Sequence, residues 1–200
     1  MDVIIKNRHN IRPEDIKYKL DIIDSVVVDS SKIKDCPSAC NPTVYAQINN
    51  AKKIVNCNTT AFTGKGVTIA FLDTGIDPMP DFHGRILHFR DFLNGRINLY
   101  DDNGHGTHVA GIAAGDGYYK GMAPQSGIVM LKVLNESGQG NAADVISAIQ
   151  WIANNHKKYN IRIVNMSIGT ASSAVNDPLV EAVERLWDMG ITVVAAAGNN

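Results

Sequence analysis

The sequence predicts an α/β protein: a parallel sheet with helices on both faces. Three observations carry the prediction. Four nearly continuous apolar runs begin at Val67, Ile128, Ile161 and Ile191, as expected of strands buried on both faces. Segments with helical periodicity lie between them. The links are short, and strand–helix alternation with short links implies right-handed crossovers between parallel strands.

Composition sets the outer bounds. Two hundred residues suffice for one domain of ordinary size, or for a domain with a short appendage. The 44% hydrophobic content is that of a globular chain with a real core. A balance of 19 basic against 20 acidic residues gives a net charge of -1, which carries no nucleic-acid footprint. No apolar run reaches about 18 residues, so no membrane span is expected. The stretch Met1-Asp2-Val3-Ile4-Ile5-Lys6 does not read as a secretory leader, and the expected compartment is the cytoplasm. Cys36, Cys40 and Cys57 form an odd set, which fits a reducing environment. Cys36-Pro-Ser-Ala-Cys40 has no second Cys/His pair at zinc-site spacing and reads as loop.

Taken in order, residues 1–40 form a short α/β extension. Val3-Ile4-Ile5 is a strand. A helix starts at Arg12-Pro13-Glu14-Asp15, with Ile16 and Leu20 on one face. Ser25-Val26-Val27-Val28-Asp29 is a second strand. So small a unit buries too little to stand alone, and packs on the larger body or is the remnant of a pro-segment. Residues 41–65 are a polar connector with room for a short helix over 44–54. Its Asn58-Thr59-Thr60 glycosylation pattern is discounted without an export signal.

Residues 66–200 are the main domain. The strand over 67–72 ends at Asp73-Thr74-Gly75. The polar loop Asp101-Asp102-Asn103-Gly104 then feeds a helix that opens at His105 and continues with Val109, Ala110, Ile112, Ala113 and Ala114. A strand over 128–134 follows. The helix over 142–156 has Val145, Ile149 and Ile152 at helical spacing and Asp144 in its first turn, where negative charge suits the helix dipole. A strand over 161–167 leads to a helix opened by Asp177-Pro178, with Leu179, Val183 and Leu186 buried and Gly190 stopping it. The last strand covers 191–197.

Sites in parallel sheets form outside the carboxyl ends of the strands. Here those ends read Asp73, Leu134, Ser167-Ile168-Gly169 and Ala197-Gly198-Asn199, and His105 can reach the same edge. A carboxylate beside a histidine fixes its tautomer and stabilises the imidazolium, making the other ring nitrogen a general base. An asparagine amide suits a developing oxyanion. These are three of the four parts of an acyl-transfer site; the fourth is a nucleophile.

Four motifs in order, Asp73-Thr74-Gly75-Ile76-Asp77, His105-Gly106-Thr107-His108-Val109-Ala110-Gly111, Asn165-Met166-Ser167-Ile168-Gly169 and Ala196-Ala197-Gly198-Asn199, resemble the subtilisin-like serine proteases. Gly121-Met122-Ala123-Pro124 and Lys132-Val133-Leu134 fall where that family has similar segments. The resemblance spans about residues 44–200, the N-terminal part of such a catalytic domain. Within the family, the cysteine-bearing connector looks most like the intracellular, AprX-like branch. The resemblance implies a three-layer architecture cut before the helix that bears the nucleophile.

It also implies roles. Asp73 is the triad acid, His105 the general base and Asn199 the oxyanion donor. Ser167, Ile168 and Gly169 bind the substrate backbone as one wall of the primary pocket, which Ala197 and Gly198 flank. Ser137-Gly138-Gln139-Gly140 is the facing edge strand, so Gly138 and Gly140 contact the peptide. Leu134 lines the next subsite. No cofactor is required. A structural calcium in the family often bridges an aspartate like Asp81 and the loop after the histidine helix. Here loop 115–120 is short and lacks asparagines, so six oxygen ligands are not assembled and no metal ligand is assigned. The expected partner is a polypeptide substrate, together with the missing C-terminal half of the domain; neither nucleic acid nor membrane is expected.

The family's nucleophile lies in a Gly-Thr-Ser-Met-Ala motif, and no serine here has that context. The expectation is a serine endopeptidase whose Ser lies beyond residue 200, leaving residues 1–200 inactive alone. The alternative is a catalytically inactive, protease-like binding module. Gly64-Lys65-Gly66 precedes its strand, so it is not a phosphate loop. Asp77, Asp101 and Asp102 read as turn formers, and His108, Trp151 and Trp187 as packing residues.

Overall fold

The computed structural model describes residues 2–6, 16–20, 25–29, 55, 61–118, 120–169 and 178–197. The chain divides into two units, Met1–Ala46 and Gln47–Asn200.

In the first unit, β1 (Asp2–Lys6), β2 (Ile16–Leu20) and β3 (Ser25–Asp29) form an antiparallel sheet in the order β1-β3-β2. Both expected strands are present, but the helix expected to carry Ile16 and Leu20 is replaced there by β2. The reason is visible in Ile16-Lys17-Tyr18-Lys19-Leu20, which alternates apolar and charged residues with the period of a strand. A spacing of four is also a multiple of two, so Ile16 and Leu20 alone do not separate helix from strand. The expected helix over 44–54, the three cysteines and the Asn58 pattern lie outside the described residues.

The second unit is a five-stranded, wholly parallel sheet in the order β5-β6-β4-β7-β8. Its strands are β4 (Thr68–Asp73), β5 (Ile86–Asp91), β6 (Gly127–Lys132), β7 (Ile161–Met166) and β8 (Thr192–Ala195). Its helices are α1 (His105–Ala114), α2 (Ala142–Tyr159) and α3 (Pro178–Asp188), with a 3₁₀ turn at Pro80–Phe82.

β4 is central and buried along its whole length. Successive side chains point to opposite faces of a strand, so β4 feeds two cores. Ile69 and Phe71 pack with Ile76, Phe82, Ile128 and Met130, and with Ala110 and Ala114 of α1. Ala70 and Leu72 pack with Val145, Ile149 and Ile152 of α2 and Leu186 of α3. The architecture is therefore three layers, helix–sheet–helix.

The helix ends follow from local chemistry. Asn141 caps α2, its side chain accepting from the Asp144 N–H at 2.9 Å. α2 runs past residue 156 to Tyr159, with His156, Lys157 and Lys158 in the last turn, where cations suit the dipole. It stops at Asn160, whose φ of 51° is left-handed. β6 ends at Lys132, two residues short of the expected end. The Val133 and Leu134 N–H groups leave the ladder and both donate to the Asp73 carbonyl, at 2.9 and 3.2 Å. Among the described residues no helix is long and apolar enough to cross a membrane.

Candidate active site

Asp73 is the last residue of β4 and is fully buried. His105 is the first residue of α1, on the same edge of the sheet. The His105 Nδ1 lies 2.7 Å from Asp73 Oδ1, with the carboxylate at 0% side-chain exposure and the imidazole at 46%. One ring nitrogen is thus anchored on a buried acid while much of the ring remains open to solvent. Asp73 Oδ1 also accepts from the Thr74 N–H at 2.7 Å, and among the described residues the buried Asp73 Oδ2 has no hydrogen-bond partner.

This contact needs the start of α1 to lie hard against the end of β4, and glycine permits it. A Cβ on Gly106 would sit 2.3 Å from the Gly75 carbonyl oxygen and 3.2 Å from the Asp73 Cβ. Gly75 in turn has a φ of 131°, and a Cβ there would sit 2.2 Å from the Tyr100 carbonyl oxygen. The Gly106 N–H donates to Thr74 Oγ1 at 2.9 Å, fixing the same junction.

Asp101 organises the loop before His105. Its Oδ1 accepts from Thr74 Oγ1 at 2.8 Å and the Gly104 N–H at 2.8 Å. Its Oδ2 accepts from the Thr107 N–H at 2.8 Å and Thr107 Oγ1 at 2.6 Å. It accepts the third amide of α1, while Asn103 and Thr74 accept the first two. Burial pushes its carboxyl up, but bonds from Thr107, Gly104 and Thr74 outweigh this and hold it below the ordinary carboxylate value. Asp101 is a turn former, as its sequence context suggests, and also anchors the first turn of α1.

Lys132, fully buried at the end of β6, donates to the Thr74 carbonyl at 2.6 Å, Asp102 Oδ1 at 2.6 Å and the Leu134 carbonyl at 2.8 Å. The available signal was a lysine inside the apolar run Ile128-Val129-Met130-Leu131-Lys132-Val133-Leu134, since a buried charge demands partners.

The remaining candidates are placed unevenly. Leu134 is buried beside Asp73 through the backbone bond given above. Ser167 and Ile168 are half-buried and Gly169 exposed, just beyond the end of β7, and Ser167 Oγ accepts from Asn165 Nδ2 at 2.9 Å. Ala197 is exposed beyond β8. Gly198 and Asn199 lie outside the described residues. Segment 137–140, expected as an edge strand, is instead part of a tight turn. Asn135 Oδ1 collects the N–H groups of Ser137 and Gln139 at 3.0 and 2.9 Å, and the Asn135 N–H closes on the Gln139 carbonyl at 2.8 Å. A side chain that satisfies the backbone locally competes with a strand ladder. Within that segment Gly140 packs so closely that a Cβ would meet the Val133 carbonyl oxygen at 2.2 Å. Asn103 ties the turn to the histidine loop: its Nδ2 donates to the Glu136 carbonyl at 2.9 Å, and its Oδ1 accepts the His105 N–H at 3.1 Å.

The Asp81 carbonyl accepts from the Asp116 N–H at 3.0 Å and from the Arg85 guanidinium. Burial lowers the Arg85 pKa, against the raising effect of Asp116 and Asp81. Among the described residues no group of three His, Cys, Asp or Glu could hold a metal ion.

A parallel sheet with a buried strand-end acid bonded to a helix-opening histidine defines a class, and comparison with known proteins agrees. Residues 64–200 match the subtilase family, and the chain belongs to it. It is 43% identical over 170 residues to the serine protease AprX of Bacillus subtilis (strain 168), covering 77% of this chain and 37% of that one. It is 38% identical over 141 residues to subtilisin Savinase of Lederbergia lenta, covering 69% of this chain and 49% of that one. Among solved structures, that of a cold-adapted subtilisin-like serine proteinase aligns with a TM-score of 0.62 and 36% identity, over 70% of this chain and 50% of that chain. The chain thus spans between about a third and a half of the length of these relatives.

Proposed function

We propose that the protein containing these residues is a serine endopeptidase that cleaves polypeptides through an acyl-enzyme, with Asp73 as the acid and His105 as the base. The observation that carries the reading is the 2.7 Å contact between His105 Nδ1 and the buried Asp73 carboxylate. With a proton held on Nδ1, the Nε2 lone pair is free to take the proton of an attacking hydroxyl. The carboxylate steadies the resulting imidazolium, which then gives that proton to the leaving amine. Asn199 is the proposed oxyanion donor. Ser167, Ile168 and Gly169 are the proposed rest for the substrate backbone, with Ala197 and Gly198 beside them. Leu134, Gly138 and Gly140 make the opposite wall.

The nucleophile in this reading is a serine outside residues 1–200, so residues 1–200 alone are proposed to be inactive. The three cysteines before residue 60 suit a cytoplasmic setting. The test is fluorophosphonate labelling of the full-length protein and of residues 1–200. Stoichiometric labelling of the full-length protein alone is expected, with loss of turnover in His105→Ala. An unlabelled full-length protein would leave a binding module, and labelling of residues 1–200 would place the nucleophile within them.

A further inference from the structure

Lys132 is the fully buried cation of the described residues, and its position is not explained by packing. Methionine would fill the same space without taking an ammonium out of water, which is unfavourable unless every proton finds an acceptor. All three do. The acceptors come from three different segments: the carbonyl of Thr74, next to Asp73; the carboxylate of Asp102, three residues before His105; and the carbonyl of Leu134. Lys132 is also the register partner of Asp73 across the β4–β6 pair. The Tyr100 ring, 5.0 Å from Nζ, lies against the same ammonium. One ammonium therefore joins the strand end that bears the acid, the loop that bears the base and the strand end that bears a candidate subsite.

We propose that Lys132 is a positioning residue of this site, with Asp102 as its counter-charge. It holds Asp73, His105 and Leu134 in one mutual geometry. The inference rests on the Asp73–His105 reading above, and it adds a residue that touches neither substrate nor imidazole. Its consequence is electrostatic as well as geometric. The charged groups bonded to the segments around His105 are Asp73 on β4, Asp77 just beyond β4, Asp101 and Asp102 in its own loop, and Lys132 on β6. Removing Lys132 leaves Asp102 uncompensated, which favours the imidazolium. Removing the Asp102 charge leaves Lys132 uncompensated, which disfavours it.

The test uses the full-length protein with Lys132→Met, Asp102→Asn and the double variant. The readouts are kcat and KM against pH on a fluorogenic peptide, the midpoint of the His105 NMR titration, and the thermal midpoint. Lys132→Met is expected to lower kcat by roughly 10- to 100-fold, as displacements near 1 Å do, with a smaller change in KM. Its acid limb and NMR midpoint move to higher pH. Asp102→Asn moves both to lower pH with a smaller loss of kcat. The double variant returns the limb toward wild type yet keeps the loss of kcat, because the two carbonyl tethers remain unmade. A folded Lys132→Met protein with unchanged kcat and limb, or with only a lowered thermal midpoint, overturns the proposal. Should Lys132→Met fail to fold, an unmoved limb and midpoint in Asp102→Asn overturns it. A wild type without hydrolysis would sink the protease reading, while the NMR midpoints would still decide the role of Lys132.

Discussion

Gly106→Ala puts a single methyl group between the acid and the base. That Cβ would lie 2.3 Å from the Gly75 carbonyl oxygen, 3.1 Å from the Gly75 nitrogen and 3.2 Å from the Asp73 Cβ. An ordinary carbon–oxygen approach is about 3.3 Å, so the start of α1 must back away from the end of β4 by about 1 Å. Two backbones meet there, and no side-chain rotation relieves the clash. Overpacking of this kind costs about 1–3 kcal/mol. The same displacement would stretch a His105–Asp73 contact that is now 2.7 Å, and misplacement by about 1 Å costs on the order of 100-fold in rate. Gly111→Ala, one and a half turns along α1, is the control: a Cβ there meets nothing within 4 Å. It should stabilise the helix by up to about 1 kcal/mol, through propensity alone. The assay is turnover of a fluorogenic peptide by the full-length protein, with urea unfolding of each variant. If Gly106→Ala kept activity and stability within error of Gly111→Ala, the argument that glycine sets the acid–base distance would be refuted.

Two further predictions concern pH. The Asp101 carboxyl is held below its ordinary value of 3.8, so its contribution is fully present above that value and is lost as pH falls through the lower folded value. Asp101→Asn should cost about 1–2 kcal/mol at pH 7, as loss of a cap does, and less at pH 3. Equal costs at both pH values in urea titrations would refute the assignment. His88 stacks on Trp151 at 4.6 Å, and its buried Nε2 has no hydrogen-bond partner among the described residues. Burial, then Lys158 and Arg90, hold it below 6.5, so the fold refuses a proton that the unfolded chain accepts, and stability is lost as pH falls below that value. His88→Phe keeps the stack and should lose less stability than wild type between pH 7 and pH 5. Parallel stability curves would show that His88 does not contribute.

How much of this was legible depended on burial. The cores of β4, β6 and β7 stood out because both faces of the sheet are covered, leaving only apolar residues in Ile69-Ala70-Phe71-Leu72 and Ile128-Val129-Met130-Leu131. β5 did not, because it is the edge strand next to β6 alone, and Ile86-Leu87-His88-Phe89-Arg90-Asp91 mixes polar residues into its run. β2 is ambiguous on Ile16 and Leu20 alone, and Tyr18 between them marks the strand period. At the site, Asp73 and His105 were legible because chemistry restricts which residue types can serve there. Lys132 and Asp101 were not. Many of their bonds go to backbone groups of Thr74, Leu134, Gly104 and Thr107, which leave no mark in the sequence. Their side-chain partners Thr74, Thr107 and Asp102 are ordinary loop and helix-start residues.

The two halves of the candidate pair are mounted very differently. Asp73 ends a strand that is buried on both faces, whose amides should be among the slowest to exchange with deuterium. His105 opens a ten-residue helix whose buried residues are Gly106, Ala110 and Ala114, so little apolar area holds it down, and its first turn is secured by polar bonds. Partial opening of a native protein begins where burial is least. Under mild heating or dilute denaturant, α1 should lift while the sheet persists, so the base would leave the acid, and activity would vanish, before any global unfolding is detectable.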